Sequence, residues 1–227
     1  MGFKSRNYQI AIDGPAASGK STIAKLLAKR SSFQYLDSGA MYRAITFYLM
    51  KRKLLTITNN KLKKIIRKVQ ISFVNRKDNQ LVFLNNKNVT KKIRSQTVSK
   101  FVSEISSKKI VRNEIVKRLR KFTLCNSIVM DGRDIGTNVF KDANLKIYLS
   151  ASCVVRAKRR LEDLKKISEV VPLKQLINDI QKRDYYDATR IHSPLCKGQD
   201  AVVIDSSTLS IGEVLEQINI FLPVMKT

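Results

Sequence analysis

Gly14-Pro15-Ala16-Ala17-Ser18-Gly19-Lys20-Ser21 decides the class of this chain. The octet has P-loop spacing and the flanks that motif requires. Tyr8 to Asp13 before it reads as a buried strand, and Lys20 to Ser31 after it as a helix with Ile23, Leu26 and Leu27 facing inward. Glycines let the backbone curl until successive N–H groups point at phosphate oxygens, and the positive end of the following helix favours the same anion. Gly14, Pro15, Ala16, Ala17, Ser18, Gly19, Lys20, Ser21 and Thr22 are therefore read as a cradle for the phosphates of ATP. Lys20 would neutralise β- and γ-oxygens, and the Ser21 hydroxyl would ligate Mg²⁺.

Working outward, short apolar runs alternate with helical patterns, the order that builds a parallel sheet covered by helices. Further strands are expected at Phe33 to Leu36, Ser127 to Asp131, Leu145 to Ser150 and Ala201 to Asp205. Helices are expected at Met41 to Lys53, Ser152 to Lys166 and Ser210 to Phe221. Between Val69 and Thr90 the period changes to two, with Ile71, Phe73, Leu81 and Phe83 alternating and a turn at Asn85-Asn86, which predicts a small antiparallel sheet. Val98 to Ile105 and Val111 to Phe122 read as helices leading back to the core. The fold class is α/β: a P-loop NTPase-type parallel sheet with flanking helices and a small antiparallel β insert beside the substrate cleft. One elaborated domain is expected over residues 1–227, with its core at about 1–60 and 107–227 and the insert at about 61–106.

The formal charge of +26 attracts phosphate-bearing partners, nucleic acid among them. Much of it is Lys scattered through an Ile- and Asn-rich composition, which reads as a solvated basic surface rather than a designed groove. Cys125, Cys153 and Cys196 are too widely spaced for a zinc knuckle or redox pair, so reduced thiols are expected. Lys4 and Arg6 precede only the brief apolar stretch Ile10 to Ile12, and Arg6 breaks the myristoylation pattern of Met1-Gly2. These features predict a cytoplasmic protein without a membrane span.

A P-loop names a donor and no acceptor. Asp37-Ser38-Gly39-Ala40-Met41-Tyr42-Arg43 puts a polar turn at a helix start with an Arg one turn inside, either a second anion site or simple capping. Asp131 ends an apolar strand where P-loop enzymes hold the magnesium shell, although strands also end in Asp for turn chemistry, and Asp13 stands under the same two readings. Asp131-Gly132-Arg133-Asp134 packs a guanidinium between carboxylates at the sheet edge where α/β folds bind ligands; a surface ion-pair cluster is the competing explanation. From Leu173 the apolar stripe Leu173, Leu176, Ile177, Ile180 is continued by Arg183, Asp187 and Arg190 at spacings of three, four and three. If the helix persists, those charges line a cleft holding an anion; if it ends near Tyr185, they sit in a solvated loop. Arg156, Arg159 and Arg160 share one helical face and can converge on phosphate.

The strings Ile12-Asp13-Gly14-Pro15, Asp37 to Arg43, Asp131-Gly132-Arg133-Asp134-Ile135-Gly136-Thr137, Arg156-Ala157-Lys158-Arg159-Arg160 and Asp205-Ser206-Ser207-Thr208-Leu209-Ser210 occur in the order of the bacterial cytidylate kinase signatures. The chain resembles that family of nucleoside monophosphate kinases over nearly its whole length. The resemblance implies phosphoryl transfer from ATP to CMP or dCMP with Mg²⁺. It also implies that the meander is an insert in the monophosphate-binding lobe. Ser38, Arg43, Arg133 and Arg190 are implied at the CMP phosphate or its surroundings, Ser103, Arg112 and Asp134 at the cytosine, and Arg183 and Asp187 at the sugar. Lys20, Arg156, Arg159 and Arg160 are the implied catalytic cations, the three arginines in a short lid at about 153–172, with Ser21 and Asp131 as metal candidates. A carboxylate and a hydroxyl can accept from the exocyclic amine of cytosine, and Arg112 can donate to its ring acceptors. Small departures are Ser21, where many members have Gly or Ser, and Tyr185-Tyr186 in place of more polar residues.

A nucleotide monophosphate has a second phosphate pKa near ~6, so its attacking oxygen is largely unprotonated at neutral pH and needs no base. A shikimate or sugar hydroxyl would need one, and Asp134 would then be its general base. The rivals are another small-molecule P-loop kinase and a nucleic-acid-stimulated NTPase; adenylate kinase is disfavoured because the stretch between Ser150 and Leu173 is too short for its lid. A monomer with small nucleotides as its partners is expected, with no specific nucleic-acid partner.

Overall fold

A computed structural model describes residues 7–76, 79–122, 126–165 and 170–222. The chain runs β1 (Gln9–Asp13), α1 (Lys20–Arg30), β2 (Gln34–Asp37), α2 (Ser38–Lys51), α3 (Asn59–Lys68), β3 (Ile71–Arg76), β4 (Asn79–Leu84), β5 (Lys87–Asn88), α4 (Gln96–Ser107), α5 (Lys109–Lys121), β6 (Ile128–Gly132), β7 (Leu145–Ser150), α6 (Cys153–Lys165), α7 (Leu173–Thr189), β8 (Val202–Asp205) and α8 (Ile211–Asn219). A 3-10 turn at Lys92–Arg94 precedes α4, and a π-type turn at Ile135–Val139 follows β6.

The apolar run before the loop forms the centre of a parallel sheet ordered β2-β6-β1-β7-β8. Ile10, Ala11 and Ile12 are wholly buried because helices cover both faces, which is why β1 is continuously apolar rather than alternating. Ile10 and Ile12 pack with Ile23 and Leu27 of α1 and Val214 and Ile218 of α8. Burial of each such side chain contributes roughly 1.5–3 kcal/mol. On the opposite face Ala11, Leu36 and Met130 meet Met41 and Ile45 of α2 and Ile115 of α5, and this core runs unbroken into Val82, Leu84 and Ile93. Ala157 and Leu164 of α6 and Leu176 and Ile180 of α7 form a smaller core of their own.

The expected antiparallel sheet is present as β3-β4-β5. Asn85 and Asn86, at φ 46° and 63°, turn the chain between β4 and β5 in the left-handed conformation that Asn tolerates. Helix α2 begins earlier than the expected Met41, because the Asp37 carboxylate accepts the Ala40 N–H at 2.9 Å and caps it. Helix α8 stops at Asn219, short of the expected Phe221. Helix α3 is an element the sequence pattern left unassigned: only Leu62 and Ile66 are buried among its lysines. Cys153 and Cys196 are free thiols, while the readings on Cys125, Lys166 and residues 1–6 lie outside the described residues. Among the described residues no helix is long and apolar enough to cross a membrane.

Candidate functional site

At the carboxyl end of β1 the chain turns through Gly14 with φ 146°, and a Cβ there would lie 2.1 Å from the Leu149 carbonyl oxygen. Only glycine fits that approach between β1 and β7. The cap of α1, Gly19, brings no side chain to the helix's first amides, so they are available to an anion. The Lys20 ammonium lies against the loop, donating to the Pro15 carbonyl and to Ser18 Oγ at 3.3 Å. Burial first, and the Arg133 guanidinium second, push that ammonium well below its usual range. A cavity of about 950 Å³ runs beside the loop, with Arg159 and Ser206 on its polar side and Leu209, Ile211 and Val214 on its apolar side.

Ser21, the first residue inside α1 after the lysine, donates to Asp131 Oδ2 at 2.7 Å, and the Tyr35 hydroxyl donates to Oδ1 at 3.0 Å. Burial, then the nearby Asp37 carboxylate, raise the Asp131 carboxyl. A hydroxyl and a buried carboxylate side by side at a phosphate cradle are the hard oxygen donors that Mg²⁺ uses when phosphates complete its shell, so the residues fit that ion. Among the described residues no three His, Cys, Asp or Glu side chains gather elsewhere as a metal cluster. Asp13 has a different occupation: its two oxygens accept the N–H groups of Ile135 and Gly136 at 2.8 and 2.7 Å, which fixes the start of the turn after β6.

Burial outweighs those two bonds and lifts the Asp13 carboxyl from 3.8 to about 6. Between those values the folded protein holds a proton that the unfolded chain lacks. The stabilisation from this group is thus complete below 3.8 and is lost as pH rises through about 6. Carboxyl NMR titration is expected to give an Asp13 midpoint near 6, against values under 3.8 for Asp37 and Asp187. A midpoint for Asp13 in that same low range would contradict the burial argument.

A second polar cluster lies beyond the end of β6. The residues Asp131, Arg133 and Asp134 diverge instead of clustering: Asp131 faces Ser21, Arg133 donates to Asp187 Oδ2 at 2.9 Å, and Asp134 is ion-paired with Arg112. Asp187 also meets Arg190 at 3.4 Å and Arg183 at 4.0 Å, and Asp134 meets Arg190 at 3.8 Å. Burial would raise the Asp187 carboxyl, but Arg133, Arg183 and Arg190 hold it below its ordinary value. Burial, and next Arg133, push Arg183 down to about 10. From α2, Arg43 pairs with Asp37 at 2.6 Å, and Gly39 leaves room for it, since a Cβ there would lie 2.9 Å from its guanidinium. The Arg112 guanidinium also lies over the Tyr42 ring, 5.4 Å from its centroid.

Six guanidinia, of Arg43, Arg94, Arg112, Arg133, Arg183 and Arg190, thus converge on three carboxylates, of Asp37, Asp134 and Asp187. Tyr42 Oη, Arg43 Nε, Arg112 Nε, Arg183 Nε and Arg190 Nη2 are buried without a hydrogen-bond partner. An excess of cations with donors left over is a site for a polyoxygenated anion.

The structure brings the sequence candidates together in this cluster with two qualifications. Ser38 is buried and donates to the Asp131 carbonyl at 2.7 Å, and Ser103 lies half-buried on α4, where the next turn contributes the Ser106 carbonyl to Arg112 at 3.1 Å. Helix α7 persists to Thr189, so Arg183 and Asp187 are helical and Arg190 closes the helix. Of the α6 arginines, Arg156 and Arg159 reach the donor loop. Arg156 donates to the Ala16 carbonyl at 3.2 Å and pairs with Asp184 at 2.6 Å, and Arg159 reaches the Ser18 carbonyl at 3.5 Å and the Ser206 carbonyl at 2.6 Å. Arg160 is near enough to Arg183 for its charge to help depress that guanidinium. Three further polar residues contact these groups without belonging to any sequence motif. Asp184 sits three residues before Asp187 on the same helix, a spacing that was visible. Arg94, 3.3 Å from Asp37, and Gln80, bonded to the Asp37 N–H, come from the insert and carry no periodic signal.

Comparison with known proteins gives a consistent result. The family model described as cytidylate kinase matches residues 10–222. A cytidylate kinase of Bacillus velezensis is 45% identical over 94% of this chain and 95% of its own length. Another, of Caldicellulosiruptor bescii, is 42% identical over 97% of this chain and 98% of its own. Among solved structures, an uncharacterized protein from Eubacterium ventriosum shares the fold with a TM-score of 0.53 at 13% identity, covering 95% of this chain and 97% of that one.

Proposed function

The chain belongs to the cytidylate kinase family, and we propose that it works through two phosphate sites joined at the carboxyl end of β6. It is a nucleoside monophosphate kinase that phosphorylates CMP. In this reading ATP is the donor, its phosphates held over Gly14 to Thr22, and dCMP is a second acceptor. One observation carries the division of labour: Asp131 faces Ser21 of the donor loop, while Asp134 faces Arg112 and Arg190 in the arginine cluster.

Lys20 and the amides of the loop neutralise charge on the donor phosphates, and Arg156, Arg159 and Arg160 add to that field from α6. Mg²⁺ bound by Ser21 and Asp131 would supply further neutralisation of phosphate oxygens. Arg43, Arg133 and Arg190 hold the acceptor phosphate, with Ser38 beside them; Arg183 and Asp187 take the ribose; Arg112, Asp134 and Ser103 read the cytosine. Since the acceptor oxygen is already largely unprotonated, with a pKa near ~6, orientation and charge neutralisation suffice and Asp134 binds instead of deprotonating. Its ion pair with Arg112 supports that role. Both nucleotides are metabolites of the cell interior, which supports a cytoplasmic place in pyrimidine nucleotide metabolism.

A coupled assay of ADP release across CMP, dCMP, UMP, AMP and shikimate tests the acceptor. Turnover is expected with CMP and dCMP. Turnover of shikimate or AMP with none for either cytidine nucleotide would overturn the assignment.

A further inference from the structure

Gln80 is a buried, uncharged amide to which the reaction as described gives no task. Glutamine is mostly exposed in folded proteins, and a buried one has to place each of its polar atoms. Here Oε1 accepts the Asp37 N–H at 3.0 Å, and Nε2 donates to the Tyr35 carbonyl at 2.6 Å and to Asn75 Oδ1 at 2.9 Å. Asn75 in turn donates to the same Tyr35 carbonyl at 3.1 Å.

The pattern has a geometric meaning. β2 is an edge strand, paired only with β6. On its open side the Tyr35 C=O and the Asp37 N–H flank Leu36. In a parallel ladder those are the two groups that one residue of a neighbouring strand engages with its own N–H and C=O. The side-chain amide of Gln80 stands in for that residue, so the insert is stitched to the core sheet by an imitation of strand pairing that also covers the edge.

Asp37 is the residue on which the acceptor side of the site hangs. It caps α2 through Ala40, pairs with Arg43 at 2.6 Å and receives Arg94 from the insert at 3.3 Å. Its inner neighbours hold the strand against β6, but its N–H faces outward to Gln80. We propose that Gln80 is a positioning residue for the acceptor phosphate: it fixes the backbone of Asp37, and through the Asp37 carboxylate the Arg43 guanidinium. Gln80 also lines the cavity beside the loop, but its amide is engaged by the Asp37 N–H, the Tyr35 carbonyl and Asn75 and not by the loop, so its hold falls on the Asp37 side. This inference rests on the assignment of Arg43 to the acceptor phosphate.

The test is steady-state kinetics of Gln80→Met, which keeps length and removes every polar atom, with Arg43→Ala in parallel. Loss of the two bonds to β2 is expected to raise KM for CMP roughly tenfold. KM for ATP is expected to stay within about twofold, as when ground-state binding of one substrate alone is lost. Equal rises in both constants, or a lowered melting temperature with both KM values unchanged, would overturn the positioning role. If Arg43→Ala raises KM for CMP and Gln80→Met does not, the inference fails and the site assignment stands. If neither does, the assignment of Arg43 fails and the inference falls with it. Gln80→Glu covers the case in which Gln80→Met does not fold. A protonated carboxyl can donate to the Tyr35 carbonyl while accepting from the Asp37 N–H, and an ionised one cannot. Its KM for CMP, divided by the wild-type value at the same pH, should therefore recover as pH falls from about 7.5 to about 5.5. A flat ratio would contradict the proposal.

Discussion

Lys20→Ala is expected to lower kcat by roughly three orders of magnitude, the scale on which removal of a preorganised group facing transition-state charge is felt. The argument is local. Lys20 is the one ammonium within the loop octet, it is buried, and its charge already acts on Asp131 and Asp13 at the cradle. The substitution should leave the fold intact. Burial pushes the Lys20 ammonium well below its usual range, so holding it charged costs stability, and that cost disappears with the side chain. Its melting temperature is therefore expected to equal or exceed that of the wild type while kcat collapses. A fall in kcat accompanied by a comparable loss of stability would point to misfolding instead of lost charge stabilisation.

Asp187→Ala is expected to do the opposite, damaging both stability and use of CMP. The carboxylate is buried between Arg133 at 2.9 Å, Arg190 at 3.4 Å and Arg183 at 4.0 Å, so its removal leaves guanidinia facing one another. Breaking one partner out of such a buried network costs about 3–5 kcal/mol. Denaturant unfolding at neutral pH should register that loss. Because the three arginines hold the folded pKa of Asp187 below 3.8, its contribution is present above 3.8 and is lost as pH falls through the folded value. The gap between wild type and Asp187→Ala should therefore narrow in acid. In kinetics KM for CMP is expected to rise roughly a hundredfold, the effect of about two to three kcal/mol of lost binding, with KM for ATP changed far less. A variant as stable as the wild type would refute the network account.

The parts of this molecule that could be read from the chain are those where backbone period alone fixes direction. The strand before the loop, the loop and α1 follow from one motif and its flanks. The stripe on α7 was also legible, because Arg183 and Asp187 stand at helical spacing from Ile180 and the helix does continue, to Thr189. Other features depend on which way consecutive side chains turn at a strand end. Asp131, Arg133 and Asp134 read as one cluster, whereas Ser21, Asp187 and Arg112 draw them apart. Contacts from the insert were out of reach, since Gln80 and Arg94 meet Asp37 across 43 and 57 residues of chain with no motif announcing either. Helix α3 does carry a short apolar stripe, since Leu62, Ile65 and Ile66 stand at helical spacing and pack on the core, but it spans barely one turn among lysines.

Calorimetric titration of CMP, with no ATP present, into the wild type, Lys20→Ala and Asp187→Ala tests the separation of donor and acceptor sites most directly. The arrangement of charges predicts that Lys20→Ala binds CMP within a few-fold of the wild type and that Asp187→Ala binds it roughly a hundredfold more weakly. Equal loss of CMP binding in both variants, or loss in Lys20→Ala alone, would contradict it.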